Sequence, residues 1–447
     1  MRIQSLMILP LVAALGCGSS KHNPPATNDM AASDMAMPAP DLAVPAAAPD
    51  MTQAVNTTLG TDGGYDGDGG LDITGSNVVP VIVDNGPNNI GSANVPFVSV
   101  TVCAPGTSNC TTVDHVLVDT GSTGLRLIAS ALPKGFTLPA VNGTDGNPMT
   151  ECFAFITSFV YGSVRSADVK MGGETAANIP LQLMGDTTYP DSSIPTNCNG
   201  GDTSENDGDS VDAFGANGII GINQWITDCG SGCAAATADP NGYTFYYSCV
   251  GTTCTYIPVP VANQLPDPVN KFAVDNNGAI LQFPEVSQSG ALDLPGVLIF
   301  GIDTQTNNAL GSASVVPVDV DGYFTTTYKG TAMKYSYIDS GTSLLYFTDT
   351  AIPEGTGQDD QGFYIPPSVL SLTAQMPGVG GAAVNAPFTV ADADLLFTSD
   401  NTAFNDVAVD GGDATSFAWG FNYFIGRRIY TAFALPANNN GNGYNAF

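Results

Sequence analysis

The chain has 447 residues, room for a large core and for more than one domain, and its 42 acidic against 11 basic residues give a net charge of −31. That balance excludes nucleic-acid binding, which needs clustered Lys and Arg to neutralise phosphates. With 51 Gly and 31 Pro, many Val and Thr, and few Lys, Glu or Arg, the composition suits strands and turns rather than long helices.

At the N-terminus, Met1-Arg2 precedes an apolar run from Leu6 to Leu15. The run is too short to span a membrane as a mature helix and fits the apolar region of a signal peptide. Gly16-Cys17-Gly18-Ser19-Ser20 follows and resembles the end of a bacterial lipoprotein signal, in which the cysteine after a small residue is lipidated. Ala14-Leu15-Gly16 departs slightly from the usual pattern, and a plain secretory signal with an incidental Cys17 is the alternative. Residues 1–17 are therefore read as signal and lipidation site. The resemblance implies an exported lipoprotein of the bacterial envelope, at the outer membrane if the cell is Gram-negative, touching membrane through its lipid alone. Residues 18–76 are rich in Pro, Ala, Asp, Met and Gly without a hydrophobic period, and read as a disordered tether. His22 falls in it. Within it, Asp62 to Asp72 looks a little like a calcium loop but lacks the bidentate Glu and the spacing, and reads as solvated linker.

Beyond Cys17 there are eight cysteines: Cys103, Cys110, Cys152, Cys198, Cys229, Cys233, Cys249 and Cys254. An even number in an exported chain points to four disulfides. Cys103–Cys110, closing a turn through Ala104-Pro105-Gly106, is the expected pair. Connectivity among the last four is open. Their spacing would also suit zinc, but export favours disulfides, and no metal is expected.

From Asn77 the pattern turns to short apolar runs broken by Gly, Pro and Asn. Val78–Val83, Phe97–Val102, Asp114–Asp119 and Leu125–Ile128 read as strands. Cys152–Tyr161 and Ser166–Met171, joined by Gly162-Ser163, read as a hairpin. Thr196–Gly218 reads as a polar surface loop, and Gly218-Ile219-Ile220-Gly221-Ile222 as a buried strand. The aromatics from Tyr243 to Tyr247 read as packing for a disulfide-bonded loop. Val297–Phe300, Val315–Val320, Tyr323–Thr327, Tyr335–Asp339 and Leu344–Phe347 are further strands, and Pro366–Ala374 a short helix. Ser416–Trp419 and Ile429–Phe433 are the last strands. The fold class is all-β.

Two stretches read alike: Val118-Asp119-Thr120-Gly121-Ser122-Thr123-Gly124-Leu125 and Ile338-Asp339-Ser340-Gly341-Thr342-Ser343-Leu344-Leu345. Each is an apolar strand ending in Asp, a small hydroxylated residue, Gly and a second hydroxyl. Two carboxylates about 3 Å apart cannot both ionise, so they share a proton and divide the roles of acid and base. With Tyr161-Gly162-Ser163, Gly218–Ile222, Phe417-Ala418-Trp419-Gly420, Gly296–Asp303, Val316-Pro317-Val318 with Gly322-Tyr323-Phe324, and Arg427–Phe433 in order, residues 77–440 resemble the pepsin-like aspartic peptidases. Gly121 to Arg126 and Asp228 to Cys233 also resemble an uncharacterised bacterial family of secreted proteins.

The peptidase resemblance implies two β lobes, 77–305 and 306–447, with a central cleft. Asp119 and Asp339 would be catalytic, activating a water against an extended peptide or protein substrate. Thr120 and Ser340 would hydrogen-bond between the halves, Ser122 and Thr342 would donate to the outer carboxylate oxygens, and Gly121 and Gly341 would allow close backbone approach. Tyr161, Gly162 and Ser163 would form a flap over the substrate. No cofactor is implied, and the protein would be a monomer. Two positions depart from the family. Arg126 stands where the peptidases carry Trp, and Ser163-Val164 where they carry a second Gly. Arg126 would stack on Tyr161, stabilise ionised Asp119, or form an interface or surface ion pair. His115, beside Asp114 with no third ligand or nucleophile nearby, reads as structural. The alternative function is a pepsin-fold binding or inhibitor protein without turnover.

Overall fold

The computed structural model describes residues 71, 74–155, 158–198, 206–235, 244–356 and 362–447. Cys17, the signal and nearly all of the 18–76 segment lie outside the described residues. The described chain is almost entirely β. In order come β1 (Val78–Val83), β2 (Pro96–Cys103), β3 (Cys110–Asp119), β4 (Thr123–Ile128), β5 (Met149–Ala154), β6 (Phe159–Met171) and β7 (Glu174–Met184). Then follow β8 (Gly218–Ile222), β9 (Thr244–Val250), β10 (Thr253–Tyr256), β11 (Gly278–Gln282), β12 (Leu294–Phe300), β13 (Val315–Pro317), β14 (Phe324–Tyr328) and β15 (Thr331–Ile338). The last are β16 (Leu345–Tyr346), β17 (Leu370–Pro377), β18 (Ala383–Val390), β19 (Ala408–Val409), β20 (Ala418–Trp419), β21 (Arg428–Ala432) and β22 (Tyr444–Ala446).

The strands form two sheets. The larger runs β10-β9-β5-β6-β7-β4-β8-β3-β2-β1-β12-β11-β21-β22-β13, and the smaller β18-β17-β14-β15-β20-β16-β19. The smaller sheet comes wholly from residues between Phe324 and Trp419, whereas β13, β21 and β22, all beyond residue 305, join the larger one. Hence β12 pairs with β1 and β11, deep in the larger sheet.

A four-strand arrangement occurs once in each sheet. In the larger, β3 runs parallel to β8, β8 antiparallel to β4, and β4 parallel to β7. In the smaller, β15 runs parallel to β20, β20 antiparallel to β16, and β16 parallel to β19. β3 alternates in exposure near its start and is wholly buried over its last four residues, because its end lies between β2 and β8. Trp419 in β20 stacks on Phe417 at 4.0 Å between centroids, Phe417 stacks on Phe347 at 4.8 Å, and the Trp419 indole N–H donates to Thr326 Oγ1 at 3.0 Å. These rings belong to one continuous core with Val118, Leu125 and Ile220 of the other sheet.

Four disulfides are present: Cys103–Cys110, Cys152–Cys198, Cys229–Cys233 and Cys249–Cys254. The open connectivity is thus local, each of the last two bonds closing its own turn.

Three expectations are corrected. Gly162-Ser163 is not a turn: both lie inside β6, paired with Glu151 and Thr150 of β5, and β6 already begins at Phe159. The glycine there serves close approach to the neighbouring strand, since a Cβ on Gly162 would fall 1.8 Å from the Leu183 carbonyl oxygen. Pro366–Ala374 is not a helix. Residues 370–377 pair with β18 as a hairpin, and the alternation Leu370-Ser371-Leu372-Thr373-Ala374-Gln375-Met376 has the period of a strand. The polar stretch before Gly218 is not all surface loop: it carries a four-residue helix, Val211–Phe214, whose Phe214 is buried.

Candidate functional site

Asp119 closes β3 and Asp339 follows directly on β15, so each ends the parallel strand of its own four-strand arrangement. The partner strands press from beneath. A Cβ on Gly221 of β8 would lie 2.5 Å from the Thr123 backbone nitrogen, and one on Gly420 would lie 2.0 Å from the Leu344 carbonyl. Only glycine lets these strands pass so close under the turns.

The two turns hold their carboxylates alike. Gly121 N–H donates to Asp119 Oδ1 at 2.8 Å and the Ser122 hydroxyl donates to Asp119 Oδ2. Gly341 N–H donates to Asp339 Oδ1 at 2.8 Å and the Thr342 hydroxyl to Asp339 Oδ2 at 2.7 Å. The turns are also cross-bonded. Thr120 N–H donates to Ser340 Oγ at 3.1 Å, Ser340 N–H donates to Thr120 Oγ1 at 2.9 Å, and the Ser340 hydroxyl donates to the Val118 carbonyl at 2.7 Å. Both aspartates are buried. Asp119 packs on the Gly341 backbone so closely that a Cβ there would lie 2.4 Å from Asp119 Oδ1. The structure thus brings Asp119, Thr120, Gly121, Ser122, Asp339, Ser340, Gly341 and Thr342 into one place.

Burial pushes the Asp339 carboxyl well above the usual carboxylate range, and the charge and hydrogen bond of Asp119 push it further. Donation from Thr342 and Gly341 opposes the shift without cancelling it. Asp339 therefore keeps its proton at a pH where an exposed aspartate has lost it. Chemically the site is a pair of buried carboxyl groups, each oriented by two donors.

Tyr161, Gly162 and Ser163 are not grouped at a hairpin tip. Tyr161 is buried, its hydroxyl 2.9 Å from Thr150 Oγ1 and its ring edge-on to Tyr247. The Ser163 hydroxyl donates to Asp186 at 2.6 Å. Arg126 forms ion pairs, as one reading expected, but in the interior rather than at an interface or the surface. Fully buried, it lies 3.7 Å over the Phe153 ring rather than on Tyr161, and its ion pairs are with Glu151 at 2.7 Å and Asp228 at 3.2 Å. His115 sits in a left-handed backbone conformation, 3.2 Å from Asp84 and 3.6 Å from Asp114.

Residue reading missed two contributors. Asn223 clamps the first turn: its N–H donates to the Ser122 carbonyl at 3.1 Å, its amide to the Gly121 carbonyl at 3.2 Å, and it accepts from Thr123 at 2.6 Å. A repeated Gly-apolar-Asn, Gly221-Ile222-Asn223 and Gly420-Phe421-Asn422, was the available signal. Tyr337, two residues before Asp339 on the same strand face, has its phenol pushed up by burial and then by the Asp339 charge. Two surface hollows, one at Glu354 and Asp410 and one at Pro366 and Leu395, are lined by neither aspartate.

Residues 74–447 match the family described as a protein of unknown function, DUF3443, and the chain belongs to that family. No curated protein matches it.

Proposed function

We propose that this member of DUF3443 is an aspartic endopeptidase of pepsin-like, two-lobed plan, acting on extended peptide or protein segments as a monomer. The observation that carries the reading is the reciprocal hydrogen bonding of two like turns around buried carboxyls, with burial and Asp119 pushing the Asp339 carboxyl well above the usual range. In this mechanism a water between the aspartates loses a proton to Asp119 as its oxygen attacks the peptide carbonyl carbon, while Asp339 protonates the carbonyl oxygen. The tetrahedral diol then collapses: a hydroxyl proton returns to Asp339, the C–N bond breaks, and Asp119 passes its proton to the departing nitrogen. No covalent enzyme intermediate forms. Ser122 and Thr342 orient the carboxyls, and Thr120 and Ser340 fix their separation.

Purified protein is expected to cleave a denatured protein below about pH 6, where one acid of such a pair holds its proton. Asp119→Asn and Asp339→Asn are each expected to abolish cleavage with the fold intact by circular dichroism. Cleavage that persists unchanged in either variant removes the pair from the chemistry.

A second reading, ligand binding without turnover, has one observation in its favour: Tyr161-Gly162-Ser163 are locked inside a paired strand rather than free to close over a substrate. Absence of cleavage between pH 3 and 7 across a diverse peptide library would make that the better account. For location, we propose a lipid-anchored protein of the bacterial envelope. Cys17 supports that reading from the sequence, with secretion as the alternative.

A further inference from the structure

Arg126, Glu151 and Asp228 form a charged cluster sealed from solvent one strand away from the candidate dyad. Arg126 is the third residue after Thr123 along β4, and its guanidinium folds back onto the turn it follows. Nη1 donates to the Thr123 carbonyl at 2.7 Å, while Nη2 serves Glu151 at 2.7 Å and Asp228 at 3.2 Å. Thr123 is also held by Asn223, and Ser122 before it donates to Asp119. The first turn is thus gripped by Asn223 on one side and Arg126 on the other. A guanidinium in so dry a place must be neutralised, and two carboxylates would overshoot by one charge. Asp228 meets that excess: burial and then the Glu151 charge push its carboxyl well above the usual range. Tyr246 donates to both Asp228 oxygens, at 3.0 and 2.8 Å, and accepts from Leu265 N–H at 2.8 Å. The titratable groups facing the cluster are these four, from β4, β5, β9 and the segment after β8.

We propose that the Arg126–Glu151–Asp228 cluster is a positioning device for the first aspartate: it pins the Thr123 carbonyl, and through Ser122 it sets the orientation of the Asp119 carboxylate against Asp339. Glu151 and Asp228 hold the guanidinium in place, and the Nη1 donation does the positioning. The activity arm of the test rests on the peptidase reading. The titration arm does not.

Arg126→Lys separates positioning from simple packing. Lysine keeps the buried positive charge for the two acids but has one nitrogen where arginine uses two, so the Thr123 contact is lost while an ion pair is kept. Carbon-13 NMR on aspartate-labelled full-length protein would follow the titration midpoint of Asp339, which responds to the placement of Asp119 whether or not the protein cleaves anything. The expected result is a folded variant whose Asp339 midpoint moves by at least about half a unit. Its kcat on peptide is expected to fall about tenfold or more with KM little changed, as for loss of an interaction made in the transition state. A folded Arg126→Lys protein with wild-type midpoint and wild-type kcat overturns the proposal and leaves the cluster as packing alone. If Arg126→Lys does not fold, the uncharged triple variant R126M/E151Q/D228N carries the same two readouts, because replacing a whole buried ion cluster is often tolerated. If wild type cleaves no peptide, the peptidase reading fails and the midpoint alone decides this one.

Discussion

At the scale of single residues, the histidine and the aspartate pair show how burial and neighbours divide the work of setting charge. Burial acts on His115 to disfavour its charged form, but Asp114 and Asp84 outweigh it and raise the imidazole to about 9. A base whose folded value lies above its unfolded one contributes stability that is fully present below about pH 6.5 and is lost as pH rises through 9. His115→Asn keeps a residue tolerant of the left-handed backbone at φ 45°. Thermal melts of wild type and variant between pH 6 and 9.5 should therefore converge, the variant being less stable by on the order of 1 kcal/mol at the acid end. Curves that stay parallel across that range would show that the ring only packs against Phe97. Asp339 has the same sign with a different meaning. As a carboxyl raised by burial, it favours the fold in acid and strains it as pH rises.

At the scale of elements, the glycines beneath the turns carry the sharpest expectation. Gly420→Ala would press a methyl onto the Leu344 and Thr342 carbonyl oxygens, at 2.0 and 2.6 Å, and backbone cannot yield as a side-chain tip can. A loss of more than about 2 kcal/mol in denaturant unfolding is expected. An unaffected Gly420→Ala midpoint would mean that β20 can slide away from the turn.

Much of this was readable from the chain. Apolar runs between turn residues placed β1 and β2 within a residue, because those strands are buried and β-branched. The two Asp-hydroxyl-Gly turns stood out because the same pattern occurs twice, each time at the end of an apolar run. What failed had physical reasons. Gly162 suggested a turn, since a glycine needed for close strand approach looks like one needed for a positive φ. The β17–β18 hairpin was hidden because its exposed face is polar and Pro366-Pro367 imitates a helix start. Arg126 was placed at an interface or surface by its charge, and only the three-dimensional arrival of Glu151 and Asp228, far away in sequence, makes its burial possible.

At the scale of the whole molecule, charge governs where the protein can rest. A net charge of −31 repels an anionic lipid surface, so nothing in the bulk composition would hold the chain to a membrane. In the lipid-anchored form proposed above, attachment would depend on acyl chains, and more than one is needed for a durable hold. Cys17→Ala is expected to move the protein from the membrane to the soluble fraction of cells expressing it. A variant that still sediments with membrane would refute lipidation at Cys17.

The reciprocal bonds between Thr120 and Ser340 also bear on timing. The two residues are separated by 220 positions, so during synthesis the first turn waits on the order of ten seconds or more before its counterpart exists. Throughout that interval Asp119 is a lone acid with no partner to share a proton. If the pair acts as proposed, a half-made chain holding Asp119 without Asp339 lacks the second member it needs. On the proposed peptidase reading, chain order alone would then keep the nascent chain from cleaving its neighbours until residue 339 has been made.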